Sequence, residues 1–135
     1  MGEKPKENSG MSKDMANEAI TLPDLYYRVA KVCQGVRVLN LYPPTWEGGA
    51  WSIDSAGGTS SSISTSMAES LILAACVRWL VDKHCIPMFQ KDEKRGLYEC
   101  SVFYEEDIEH RSWHQSLTIA ALLAVEAVCE ERSHV

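Results

Sequence analysis

The stretch Ser66–Tyr104, SMAESLILAACVRWLVDKHCIPMFQKDEKRGLYECSVFY, decides the fold. It changes period in the middle. From Ser66 to about Lys83 or His84 it predicts a helix. Ser66 and Glu69 have the S-x-x-E spacing of a capping box, in which each side chain satisfies a free amide of the first turn. The helix is apolar almost all round, through Met67, Leu71, Ile72, Leu73, Ala74, Ala75, Cys76, Val77, Trp79, Leu80 and Val81. A helix with so little polar face must be covered on more than one side, either centrally in the domain or by an oligomer. After it the period becomes two. Ile86–Gln90 predicts a short strand, and Pro87 places it at an edge or a strand start because proline cannot donate to a ladder. Lys91–Gly96 predicts a charged turn. Leu97–Tyr104 is the clearest strand, with Tyr98, Cys100, Val102 and Tyr104 on one face and Leu97, Glu99, Ser101 and Phe103 on the other.

Working outward, Pro23–Gln34 predicts a helix with Thr21 as N-cap, Pro23 and Asp24 in the first turn and Gly35 at C′. Val36–Tyr42 predicts a strand ended by Pro43-Pro44, and Trp51–Asp54 a short second one. Residues 54–66, DSAGGTSSSISTS, read as a loop by composition. On the other side, Glu105–Arg111 reads as an acidic loop. Ser112 with Gln115 predicts a second capping box opening a helix to about Glu131. The order is α-β-(β)-α-β-β-α. This is an α+β class, a small antiparallel sheet packed by about three helices. The expected layout is a polar, disordered leader over 1–20, a single domain over 21–131 and a tail over 132–135.

The chain has 135 residues, enough for one domain. Thirteen basic and nineteen acidic residues give a net charge of −6. Binding nucleic acid through bulk charge needs a basic stripe, and the densest basic cluster, Lys91, Lys94 and Arg95, is broken by Asp92 and Glu93. There is no apolar run long enough to span a membrane and no signal-peptide pattern, so the expected location is the cytoplasm of a bacterial host. The five cysteines, Cys33, Cys76, Cys85, Cys100 and Cys129, contain no C-x-x-C and are expected to be reduced, buried small hydrophobes.

The segments SISTSMAESLILAACVRWLVDK (62–83), YECSVFYEED (98–107) and SLTIAALLAVEAV (116–128) resemble the phage ABA-sandwich domain family in their loop-into-helix, strand pair and terminal alanine-rich helix. The long Gly/Ser loop and polar leader depart from that pattern. The resemblance implies a small phage or prophage protein and carries over no catalytic residue.

Three constellations carry candidate chemistry. Gly57, Gly58, Thr59 and Ser60, followed by Thr65 and Ser66, lie before a helix N-terminus, where backbone amides can hold a phosphate. No P-loop pattern is present, and Arg78 or Arg37 would have to supply charge. Trp46 and Trp51 flank Gly48-Gly49, either as core plugs or as a docking surface. Glu106, His110 and His114 form the alternative, a metal-dependent hydrolase, with the two histidines four residues apart. The functional expectation is a phage or prophage accessory protein that binds without catalysis and without a cofactor. Its expected partner is a host protein, for instance a defence factor, or a nucleotide-like small molecule. The site residues are Trp46, Trp51, Gly57, Gly58, Thr59, Ser60, Thr65 and Ser66. A homo-oligomer through the apolar second helix, or a structural assembly subunit, completes the set.

Overall fold

The computed structural model describes residues 19–105 and 107–133. Its order is α1 (Leu22–Val32), a 3-10 turn (Gln34–Val36), β1 (Leu41–Tyr42), β2 (Trp51–Asp54), β3 (Ser60–Ile63), α2 (Thr65–Asp82), β4 (Cys85–Asp92), β5 (Leu97–Tyr104), β6 (Asp107–His114) and α3 (Leu117–Ser133). The strands form two antiparallel meanders, β1-β2-β3 and β4-β5-β6. The α+β class therefore holds, with more strand than the composition announced.

The longer sheet follows from its alternation. β4 pairs with β5 from Cys85↔Tyr104 to Asp92↔Leu97. The turn between them is closed by Asp92, whose carboxylate accepts from the Lys94 and Arg95 amides at 3.1 and 3.3 Å, and by Gly96 in the left-handed region at φ 67°. β5 then pairs with β6 from Tyr98↔His114 to Tyr104↔Asp107, with a register shift at Val102/Phe103. Cys85, Cys100, Val102, Ser112 and His114 share the inner face and are buried.

α2 and α3 cover that inner face and run in the same sense. Near their starts the Thr118 hydroxyl donates to the Glu69 carbonyl at 3.1 Å; near their ends Arg132 donates to the Lys83 carbonyl at 2.9 Å. Three antiparallel strands between two helices return the chain to its original direction. α1 packs on α3, tied by a two-pronged ion pair in which Arg28 donates to Glu126 at 2.7 and 2.8 Å. One core cluster runs from Leu22 through Ile72 and Val102 to Val128. No described helix is long and apolar enough to cross a membrane.

Several boundaries are corrected. The N-cap of α2 is Ser64, whose hydroxyl accepts from the Met67 amide at 3.1 Å, so the Ser66–Glu69 capping box does not form. Glu69 turns instead toward α3, accepting from the Ser116 hydroxyl at 3.2 Å. Ser112 is not a cap either: it lies inside β6, opposite Cys100, and Ser116 caps α3 by accepting from the Ile119 amide at 3.3 Å. What reads as an acidic loop is thus the edge strand β6, because pairing with β5 outweighs the weak strand propensity of its charged residues. Residues 54–66 hold β3. The strand expected over Val36–Tyr42 shrinks to Leu41–Tyr42, because Gln34–Val36 takes a 3-10 turn and the Val38 amide is used by the Tyr26 hydroxyl oxygen at 2.7 Å. Thr21 caps α1 as expected, donated to by the Asp24 amide at 3.4 Å.

α3, not α2, is the central helix. It buries Ala120, Ala121, Leu122, Ala124, Val125 and Val128 completely, because alanines let the sheet and two helices approach from different sides. α2 buries one stripe fully, Ala68, Ile72, Cys76 and Leu80, and leaves Met67 and Val81 more than half exposed.

Candidate functional site

A groove of about 730 Å³ lies between α1 and the segment Arg37–Thr45. α1 is strongly amphipathic. Leu22, Leu25, Tyr26 and Val29 face the core, and this leaves Tyr27 and Lys31 on the groove side. The opposite wall carries Arg37, Tyr42 and the Pro43-Pro44 pair, whose fixed φ angles stiffen it.

The second wall is held in place from below. The Tyr26 ring lies 5.9 Å from the Trp51 ring, tilted by 57°, and both are almost fully buried. The Tyr26 hydroxyl oxygen accepts the Val38 amide, so one side chain of α1 fixes the chain entering β1. Burial pushes the Tyr26 phenol above its ordinary range. β1 is further fixed by Leu41↔Ile53 and Tyr42↔Ser52 pairing to β2.

The electrostatics of the groove differ from those of the chain. Its lining holds two cations, Lys31 and Arg37, and one carboxylate, Asp24, on a protein of net charge −6. The Lys31 ammonium stands 4.4 Å from the Tyr27 ring centroid. That pairing keeps a cation and an aromatic face together at the surface. A concave site of a few hundred Å³ with aromatic walls and a few charges has the dimensions of a small-molecule site.

The residues expected from sequence are dispersed. Trp46 is 69% exposed, in the loop that follows the groove wall, and a Cβ at Gly49 would come within 2.9 Å of its ring. Trp51 is the correction. It is 2% exposed and packs beneath the groove, so it supports the site and offers no face to a partner. Its position on β2 opposite Ile63 points it into the core.

Gly57, Gly58, Thr59 and Ser60 form the tip of the β2–β3 hairpin. The Ser55 amide donates to the Thr59 carbonyl at 2.8 Å, and the Thr59 amide donates to the Ser55 hydroxyl at 3.2 Å. Ser60 donates to the Asp54 carboxylate. The Gly58 amide donates to the Ser55 carbonyl at 3.0 Å. The Gly58 and Thr59 amides, expected to help cradle a phosphate, are therefore committed to the turn. Thr65 and Ser66 stand in the first turn of α2, separated from Gly57, Gly58 and Thr59 by the four residues of β3, roughly 13 Å of strand. The loop-and-helix cradle is not assembled. Arg78 lies on α2 and does not line the groove, whereas Arg37 does.

Of the alternative metal set, Glu106 lies outside the described residues. His110 and His114 share the inner face of β6. The His110 Nε2 is 2.9 Å from the Ser112 hydroxyl, and the His114 Nδ1 accepts the Ser116 amide at 2.9 Å. Among the described residues no group of three histidine, cysteine or acidic side chains is placed to hold a metal. The five cysteines are free thiols, four of them buried. Burial pushes Cys33 and Cys100 up to about 12 and raises Cys76 as well. Thiols so protonated are poor nucleophiles.

Tyr27, Lys31 and Tyr42 are the site residues that sequence reasoning missed; Arg37 is named there only as a charge for the Gly/Ser loop. A signal existed: Tyr27 and Lys31 stand four apart on the polar face of α1, a spacing that joins them on one surface. Nothing local placed Arg37 and Tyr42 opposite them. Compared with protein-family models, curated proteins and solved structures, the chain matches none.

Proposed function

We propose that the protein is a non-catalytic binding protein that holds a small anionic, aromatic ligand of nucleotide-like chemistry in the groove between α1 and Arg37–Thr45. The observation that carries this reading is the local reversal of charge: Lys31 and Arg37 face a tyrosine-lined groove of about 730 Å³ on an acidic chain. Lys31 and Arg37 suit a phosphate, Arg by its planar fork and Lys as a point charge. Tyr27 and Tyr42, 59% and 43% exposed, suit the ring of a base. Trp46, one residue beyond the wall, extends the aromatic surface and serves as the reporter.

A role as a phage or prophage accessory protein, acting on a host factor or sequestering a host signal, is proposed on the sequence resemblance alone. The hydrolase alternative draws no support from His110 and His114, each of which has one ring nitrogen engaged within the fold.

The test is a tryptophan-fluorescence titration with AMP, ADP and ATP, alongside native mass spectrometry of protein isolated gently from cells. Saturable binding is expected, weakened about tenfold or more by Arg37→Glu or Tyr27→Ala, with the unfolding midpoint unchanged. No saturation by any of the three nucleotides, together with a clean protein mass from cells, overturns the reading.

A further inference from the structure

The outer face of the β4–β5–β6 sheet breaks the rule that governs solvated sheets. An antiparallel sheet with one wet face alternates apolar inward and polar outward. Here the outward positions carry Ile86 and Met88, 59% and 57% exposed, Trp113, 42% exposed, and the half-buried Phe103. The register sets Ile86, Met88 and Phe103 side by side, with Trp113 across Ser101, Glu99 and Arg111 from them. Ile86 pairs with Phe103, Met88 pairs with Ser101, and Trp113 pairs with Glu99 on the other side of the central strand. Large exposed apolar groups on all three strands of one face signal an interaction surface. Aromatic residues, methionine and arginine are also the types enriched in protein interfaces.

The charges on this face indicate the occupant. Glu99 and Arg111 both point outward, on neighbouring strands, 4.0 Å apart at closest approach. The Glu99 carboxylate is anchored, accepting from the Ser101 hydroxyl at 2.6 Å and the Trp113 indole N–H at 3.1 Å. Arg111 is about half exposed and reaches Glu99 only at the limit of an ion pair. Gln90 and Asp92 lie on the same face toward the hairpin turn; in its middle, one anchored acid and one loosely held base make the face complementary to itself. A two-fold axis sets each copy's acid against the other's base, the requirement of an isologous contact.

We propose that two copies of this chain associate face to face through the β4–β5–β6 sheets, with Met88, Phe103 and Trp113 at the centre and Glu99 and Arg111 paired between copies. Sheets stack at about 10 Å with their side chains interdigitating. A three-stranded face of eight-residue strands is at the small end of specific interfaces, so the dimer dissociates on dilution. The apolar helix α2 fits this role less well: its most exposed large side chains, Met67 and Val81, stand fourteen positions apart, about 21 Å along the axis.

Analytical ultracentrifugation from about 1 to 500 μM tests the proposal. The mass is expected to rise from 15.1 kDa toward twice that value. Met88→Lys, Glu99→Arg and Arg111→Glu should each stay monomeric with native circular dichroism. An equimolar mixture of Glu99→Arg and Arg111→Glu should recover the dimer, because each acid then meets a base across the axis. Val81→Lys on α2 should dimerise normally. A monomer at every concentration overturns the proposal. So does a dimer that survives Met88→Lys, and so does a mixture that stays monomeric.

Discussion

The two sheets of this molecule are built to different standards. β4, β5 and β6 are eight residues each and carry a buried inner face against α2 and α3. β1, β2 and β3 are two, four and four residues long, and of their side chains only Leu41 and Trp51 are buried. The long sheet is held by many cross-strand pairs and by the helices. The short one is tied to the core by Leu41 and by Trp51, which contacts Tyr26. Stability in a domain is uneven, and binding sites are drawn from its less stable parts. The groove belongs to the short sheet's side of the molecule, and the fold's stability belongs to the other.

The largest expected effect tests this division directly. Trp51→Ala should cost about 3–5 kcal/mol in urea unfolding, in the range of buried tryptophan truncations. Native-state hydrogen exchange should show β2 and β3 opening while β4–β6 stay protected. Equal loss of protection in both sheets would erase the distinction. Trp46→Ala, by contrast, should change stability by less than about 0.5 kcal/mol.

Alkaline pH should weaken both regions. Tyr26, Cys33, Cys76 and Cys100 all hold their protons more tightly when folded, because burial disfavours the charged forms. Once the pH exceeds the unfolded values, about 8.5 for cysteine and 10 for tyrosine, the unfolded chain binds fewer protons than the native one. Stability then falls as pH rises. A melting temperature that drops steadily from pH 8 to 11 is expected. Cys100→Ala and Tyr26→Phe should each flatten that slope, the first through the long sheet and the second through the groove side.

Gly35 joins the two sides. A Cβ there would meet the Trp79 ring of α2 at 2.6 Å, so Gly35→Ala should cost about 1–3 kcal/mol as an overpacked contact, read by urea unfolding. A small effect is expected at the Arg28–Glu126 pair, where Arg28 is nearly half exposed. Arg28→Ala should cost less than about 1 kcal/mol, and high salt should reduce the difference. A larger loss would mean that α1 is anchored more by that pair than by its apolar face.

Much of the frame was legible. The alternation of Leu97–Tyr104 placed its two faces correctly, and the apolar stripe of α1 with the Thr21 cap placed the first helix. The hairpin turn at Lys91–Gly96 was legible because Gly and Asp have local conformational preferences. Caps were less so: several serines precede each helix, and only the surrounding contacts select Ser64 over Ser66 and Ser116 over Ser112. β6 was hidden because its residues, Asp107 to His114, gain their strand conformation from β5.

The sequence by itself determined the α+β class, the central hairpin and the apolar faces of α1 and β5, since these follow from periods of 2 and 3.6 that any short window reveals. Tertiary structure alone decided the rest. It buried Trp51 and exposed Trp46, although both flank the same glycines. It made α3 the central helix in place of α2. It set Arg37 and Tyr42 against Tyr27 and Lys31. Each of these depends on which distant segment occupies the neighbouring space, a quantity that local spacing does not contain.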